Sequence, residues 1–198
     1  MMKKSKKTAM LFIGIGIAFI LSAIMLFVFN EITSYRTAQE TVEILDSLEN
    51  EMLEDISVPV DTTDGVMPIR LVDGINVVGV VSIPSLGIEV PVAAEWSYEM
   101  LRKSACRYSG TAKDGRLIIL AHNYARHFGS LTNAAVGDEV QFMDVNGELY
   151  KYSATKVEIL AKTELDRLTA SDSDLTLFTC TYGGKKRVVV RCMKQSDN

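Results

Sequence analysis

Three residue types in suggestive settings carry the possibility of covalent chemistry in this 198-residue chain. The run Leu175-Thr176-Leu177-Phe178-Thr179-Cys180 reads as a strand that delivers a thiol to its rim, just before the turn Thr181-Tyr182-Gly183-Gly184. A lone cysteine at a strand end is more often a small buried hydrophobe than a nucleophile. Its surroundings therefore decide. After the turn, Lys185-Lys186-Arg187-Val188-Val189-Val190-Arg191-Cys192 reads as an adjacent antiparallel strand, which sets Arg187 across from Cys180. A fixed guanidinium beside a thiol favours thiolate and offers a rigid fork of donors to a carbonyl oxygen that turns negative during attack. One such donor is worth about 3–4 kcal/mol of barrier. Alternation puts Arg187, Val189 and Arg191 on one face and Val188, Val190 and Cys192 on the other, inward face.

The third piece is Leu117-Ile118-Ile119-Leu120-Ala121-His122-Asn123, an apolar strand running straight into a histidine. Imidazole gives a proton to a leaving amine near neutral pH. A histidine at the end of a buried strand is ordinarily structural, but its occurrence together with Cys180 and Arg187, each at a strand terminus, favours the catalytic reading. The other histidine, His127, is expected to be an uninvolved loop residue whose replacement leaves activity nearly intact. Thr179, Asn123 and Tyr182 flank the three and are the expected substrate contacts. Cys106 and Cys192 complete an odd cysteine count, so at least one thiol stays free in a single chain. A Cys106–Cys192 bridge would leave Cys180 free, but needs Cα atoms within about 7 Å; the unbridged reading is preferred.

These residues resemble the signature of the sortases: a Thr-Leu-x-Thr-Cys box (Thr176 to Cys180), an arginine opening the final strand (Arg187), and an upstream histidine after an apolar strand (His122), in the family's order. The run Gly79-Val80-Val81-Ser82-Ile83-Pro84-Ser85-Leu86-Gly87-Ile88-Glu89-Val90-Pro91-Val92 is similar to the family's early strands, so the likeness spans roughly 77–191. The resemblance implies a cysteine transpeptidase on the outer face of a Gram-positive-type membrane. It would cleave a C-terminal sorting signal of surface proteins through a thioester and pass the acyl group to an amine, a lipid-linked cell-wall precursor or a pilin lysine. In that scheme Cys180 attacks, His122 protonates the departing amine and Arg187 steadies the tetrahedral intermediate.

The subclass stays unassigned. The short stretch between Ile159 and Leu175 differs from the long helical insertion of iron-uptake sortases, and no Asp-Pro-aromatic lid precedes the barrel as in many pilin polymerases. Glu164, Asp166, Asp172 and Asp174 lie in that stretch and raise a calcium site, but their spacing matches no defined motif, so a solvated loop is the reading taken and no cofactor is expected. Two alternatives differ in class. One is a Cys/His cell-surface peptidase that only hydrolyses, although in papain-like folds the cysteine precedes the histidine. The other is a non-enzymatic surface scaffold with an inert cysteine.

The elements that must position these side chains are short runs rich in Val and Ile, separated by Gly, Pro, Asn and Asp. They fall at 77–83, 88–92, 117–120, 139–143, 148–155, 156–159, 175–179 and 187–192. Eight strands suit an all-β, closed eight-stranded barrel, which leaves no exposed sheet edge. Short helices are expected at 97–103, where Ser97 can cap, and at a turn near 128–134. Trp96 and Tyr98 are read as packing beside the first of them.

Ahead of the barrel, Lys3, Lys4, Lys6 and Lys7 form a basic cytoplasmic tail (1–7), followed by an uncharged apolar run long enough to cross a hydrocarbon core of about 30 Å (8–30). The run lacks the short length and small-residue end of a cleaved signal, so it is read as a retained anchor. Under the positive-inside rule everything beyond Asn30 lies outside the cell. Val42, Leu45, Leu48, Met52 and Ile56 recur near helical spacing, which suggests a helical stalk, and turn formers from Ser57 to Pro68 make a linker (together 31–68) before the catalytic barrel (69–198). The net charge of -4 carries no basic face for phosphates, so nucleic acid is not an expected partner.

Overall fold

The computed structural model describes residues 3–54, 67–170 and 172–196. The chain divides into two compact units, residues 1–36 and 37–198. Helix α1 (Lys3–Glu54) contributes to both. In the first unit, Phe12–Phe29 is a helical window of mean hydropathy 2.7 with its side chains exposed. Its length and composition suffice to cross a membrane.

Among the described residues the second unit contains nine strands: β1 (Arg70–Val72), β2 (Ile75–Ile83), β3 (Ile88–Ala93), β4 (Ala105–Ser109), β5 (Leu117–Leu120), β6 (Glu139–Asp144), β7 (Leu149–Ala161), β8 (Leu175–Cys180) and β9 (Lys186–Lys194). They hydrogen-bond in the order β1-β2-β3-β4-β5-β8-β9-β7-β6, and β2 also pairs with β6. That last pairing closes a ring of eight, with β1 extending the edge of β2 that β6 occupies further along. Closure needs Gly79, because a Cβ there would run into the Met143 carbonyl and the Phe142 ring. The register shift between Val77 and Gly79 sits at the same place.

The closed eight-stranded barrel agrees with the sequence reading, but its membership does not. The runs 148–155 and 156–159 are one 13-residue strand, β7, bent by a register shift between Ala154 and Lys156. The eighth member is β4, whose ACRYS sequence gave no apolar alternation to read. Helix α2 is Met100–Lys103, and Ser97, in the turn just ahead of it, accepts through Oγ from the Met100 amide at 3.0 Å. A 3-10 turn covers Gly129–Asn133, where a turn is expected. A further helix, α3 (Leu165–Thr169), occupies what reads as a solvated loop.

Three apolar clusters hold this unit. The interior is filled from all sides by residues such as Val81, Ile119, Phe142, Tyr152, Leu177 and Val190. A second cluster lies outside, where Ile44 and Leu48 of α1 pack with Val72, Ile75, Val77, Leu101 and Cys106. The helix face that docks is therefore centred on Ile44 and Leu48, an i, i+4 pair, rather than on Val42. Residues 55–66, which include Ile56 of the expected stalk and most of the linker, lie outside the described residues. The third cluster, Ile118, Leu160, Leu168, Phe178 and Val189, covers the outer face of β5, β8, β9 and β7 beneath α3. It explains why Leu117-Ile118-Ile119-Leu120 is apolar at every position: both faces of that strand are covered.

Candidate active site

The site is built from the pleat of three neighbouring strands. In β8, Leu175 and Leu177 point into the barrel, while Thr176 and Phe178 belong to the outer face. Alternation then places Cys180 outward, and it is half-buried. Cys180 and Arg187 are direct partners in the antiparallel β8–β9 ladder. Side chains of such partners leave the same face, with Cβ atoms about 4.5–5.5 Å apart. The hairpin between them is wound tightly. Thr181 exchanges backbone and hydroxyl bonds with Lys186, and Gly183 and Gly184 adopt φ of +82° and +68°, values that disfavour a side chain with a Cβ.

On the other side β5 runs parallel to β8, with Leu120 opposite Phe178. Two bonds carry the pairing beyond the strand end. The Ala121 amide donates to the Phe178 carbonyl at 3.3 Å, and the Thr179 hydroxyl donates to the Ala121 carbonyl at 2.8 Å. The next position in register with Cys180 is His122. The side chains of Ile118 and Leu120 face the outer cluster and those of Leu117, Ile119 and Ala121 the interior, so His122 falls on the outer face. His122, Cys180 and Arg187 thus occupy one row across three adjacent strands, all half-buried.

The surroundings hold this row in place. Arg187 donates through Nη1 to the Lys162 carbonyl at 3.0 Å, which ties it to the segment leading into α3. That segment is clamped by Arg191, only 5% exposed. Arg191 reaches the carbonyls of Arg167 and Leu168, the Thr176 hydroxyl and the Glu158 carboxylate. Burial pushes the Glu158 carboxyl up, but its bonds to Lys156 and Arg191 outweigh this and hold it below the ordinary value. A cavity of about 550 Å3, lined among others by Thr155, Glu158, Asp166 and Arg191, opens at this far end of β9, four residues from Arg187. It belongs to the clamp and not to the row.

His122 lies 4.7 Å, ring to ring, from Tyr124. Burial, and then the nearby charge of Arg102, lower its pKa. Along the β4 side, Trp96 stacks on Tyr108 at 6.4 Å, and Tyr108 meets Phe178 edge-on at 5.8 Å. The Trp96–Tyr98 pair therefore stands over the outer face of β8, while Tyr98 itself is exposed.

The remaining residues singled out in the sequence fall as follows. Tyr182 is fully exposed at the tip of the hairpin, and Asn123 is half-buried directly after His122. Thr179 is 1% exposed, with its hydroxyl engaged by Ala121; it joins β8 to β5 and does not present its side chain to a ligand. Cys106 and Cys192 are unbridged and buried in different clusters. Burial raises their thiol pKa values to about 11 and about 12. His127 lies in the loop after β5, as read from the sequence, and is completely buried there. Burial first, and then the neighbouring His122, lower its pKa to about 4. Among the described residues no group of three or more His, Cys, Asp or Glu is placed to hold a metal. Glu164 binds the Ala161 amide and Arg167, and Asp174 accepts from the Lys194 amide.

Arg191, α3 and Arg102 carried no functional weight in the sequence. The signal for the first two was present: an arginine in register with an outer face that is otherwise apolar implies a cover and a carboxylate partner.

Residues 81–195, more than half of the chain, match the Sortase domain family model. Among solved structures, sortase C1 of Streptococcus suis is 26% identical with a TM-score of 0.55, covering 62% of this chain and 74% of that one. Sortase C1 of Streptococcus agalactiae is 25% identical with a TM-score of 0.54, covering 75% and 77%. The Clostridium perfringens sortase D5 transpeptidase shares the fold at 19% identity, with a TM-score of 0.57 and coverage of 80% and 97%. Among curated proteins no significant match is found.

Proposed function

The chain belongs to the sortase family, and from that premise we propose that it is a membrane-anchored cysteine transpeptidase with Cys180 as nucleophile, His122 as acid and base, and Arg187 as oxyanion donor. The observation that carries this reading is the direct ladder pairing of Cys180 with Arg187, with His122 next in register on the opposite strand.

In the proposed cycle the Cys180 thiolate adds to the carbonyl carbon of the residue before the scissile bond. The oxygen, now negative, is met by the Arg187 guanidinium, whose other arm is fixed on Lys162. Collapse of the intermediate breaks the C–N bond, and His122 gives its proton to the leaving amine, which leaves a thioester on Cys180. An incoming amine then gives a proton to His122, attacks the thioester carbon and releases the Cys180 thiolate. Because microscopic reversibility requires the same imidazole in both halves, donor and acceptor amines share the His122 side of the row.

The proposed donors are surface proteins with a C-terminal sorting motif, and the proposed acceptors are lipid-linked cell-wall precursors or a pilin lysine. Asn123 and Tyr182 border the row and are the proposed substrate contacts, and no cofactor takes part. The apolar helix Phe12–Phe29 supports a single-pass anchor, with the N-terminus cytoplasmic and the barrel outside.

The test is product analysis with a peptide library carrying C-terminal sorting sequences, with and without an added amine. Amine-dependent products supersede hydrolysis if the reading is right. Products that contain only water-derived carboxylates, whatever the amine concentration, would make the chain a peptidase.

A further inference from the structure

The His122 loop has a support that lies away from the reacting atoms. The Phe128 amide donates to the His122 carbonyl at 3.0 Å, and the amides of His127 and Gly129 both donate to the Tyr124 carbonyl, at 3.0 and 2.9 Å. The loop is thereby wound around His127, whose ring lies 5.5 Å from that of Tyr124. The buried imidazole is hydrogen-bonded to the backbone of Lys103, at the end of α2.

Helix α2 is only four residues long and cannot hold itself in place. Its buried residue, Leu101, belongs to the outer cluster that also contains Ile44 and Leu48 of α1. The docked part of α1 is fixed further by Ser47, whose Oγ donates to Asp73 at 2.9 Å. Lys103, Glu43, Ile44 and Asp73 line one cavity between helix and barrel. A sequence of contacts thus runs from α1 through α2 and His127 to the loop that carries His122.

We infer that His127, α2 and the docked residues Ile44 and Leu48 form a buried brace that positions His122, so that the juxtamembrane helix is a working part of the catalytic unit and not a spacer. This rests on the proposed role of His122 for its meaning in catalysis, but not for its test. His127, Leu101, Ile44 and Leu48 are positioning residues: they act through the loop that carries His122.

The chain contains two histidines, so the titration of His122 can be followed by NMR through its ring proton in the full chain held in detergent micelles. The charged and titratable groups around it are Arg102 on α2, Tyr124 and His127 on its own loop, and Cys180 and Arg187 on β8 and β9. In the Ile44→Ala/Leu48→Ala double variant, loss of the brace exposes the imidazole, and its midpoint moves up towards the ordinary value by about half a pH unit or more. His127→Asn moves it the same way. The conservative pair Ile44→Val/Leu48→Met keeps the wild-type curve.

Superimposable His122 curves for the wild type and the Ile44→Ala/Leu48→Ala variant, with only a lower Tm, would overturn the inference. Should His127→Asn not fold, the α1 variants decide alone, since they lie on the outside of the barrel. The titration needs no substrate. Failure of the wild-type chain to transfer any peptide would remove the proposed function and leave this result standing.

Discussion

The barrel contains each of its two reactive residue types in two settings. Cys180 and His122 sit on the outer face at strand ends, half-buried, beside a guanidinium. Cys192 and His127 are completely buried, one thiol raised to about 12 and the imidazole lowered to about 4, both mainly by burial. One step in the pleat decides the difference: Cys192 follows Arg191 on the inward side of β9, whereas Cys180 follows Thr179 on the outward side of β8. The interior keeps thiol and imidazole neutral because a low-dielectric setting disfavours charge. At the strand ends Cys180 and His122 are only half-buried, so both are within reach of solvent.

Substitutions can break this comparison at its strongest point first. Cys180→Ala is expected to abolish thioester formation and transfer altogether, read by mass spectrometry of the chain after incubation with peptide, while Cys192→Ala retains both. His122→Ala should lower transfer by about 10²–10⁴-fold, the usual range for a positioned acid-base group, measured as the initial rate of amine-dependent product. Arg187→Ala should cost about 10²–10³-fold in the same assay. Arg187→Lys should recover little, because a single ammonium does not reproduce the fork that binds Lys162 and the oxyanion together.

The interior half of the comparison is tested by stability. His127 is neutral in the fold with a pKa of about 4, against about 6.5 when unfolded. The unfolded chain therefore binds the extra proton between those values, so this contribution is present in full above pH 6.5 and lost as pH falls towards 4. It amounts to about 3 kcal/mol, measurable as denaturant midpoints across that range. The smallest effect is expected for Cys192→Ser, which buries a hydroxyl in an apolar cluster. It should lower stability by about 1–3 kcal/mol, or a few degrees of Tm, without changing the rate at which iodoacetamide labels Cys180.

The row of three was legible from sequence because each member follows an apolar strand and two of them share a hairpin, and hairpin register is local. The pairing of β5 with β8 joins residues nearly sixty positions apart, which pattern alone does not reveal; the barrel ring had to be inferred from strand number. Strand β4 was missed because its sequence, Ala105 to Ser109, lacks apolar alternation and carries an arginine that is tied to the chain elsewhere, Arg107 donating to the carbonyls of Ala94 and Gly110. Helix α3 was missed because it is one turn long and held by a tertiary contact, Arg191, rather than by its own propensity. The loop position of His127, five residues after a strand, was legible, but its burial was not, because only the tertiary fold brings Lys103 and Tyr124 against it.

The central claim is that the outward thiol at the end of β8 is the group that becomes acylated. The most direct measurement is to trap the acyl-enzyme from the full chain and a library of C-terminal sorting peptides, without added amine, and to locate the added mass by peptide mapping. The account predicts a single thioester on Cys180, discharged by an added amine and by hydroxylamine and absent from Cys180→Ala. An adduct on Cys106 or Cys192, or undiminished product from Cys180→Ala, would contradict it.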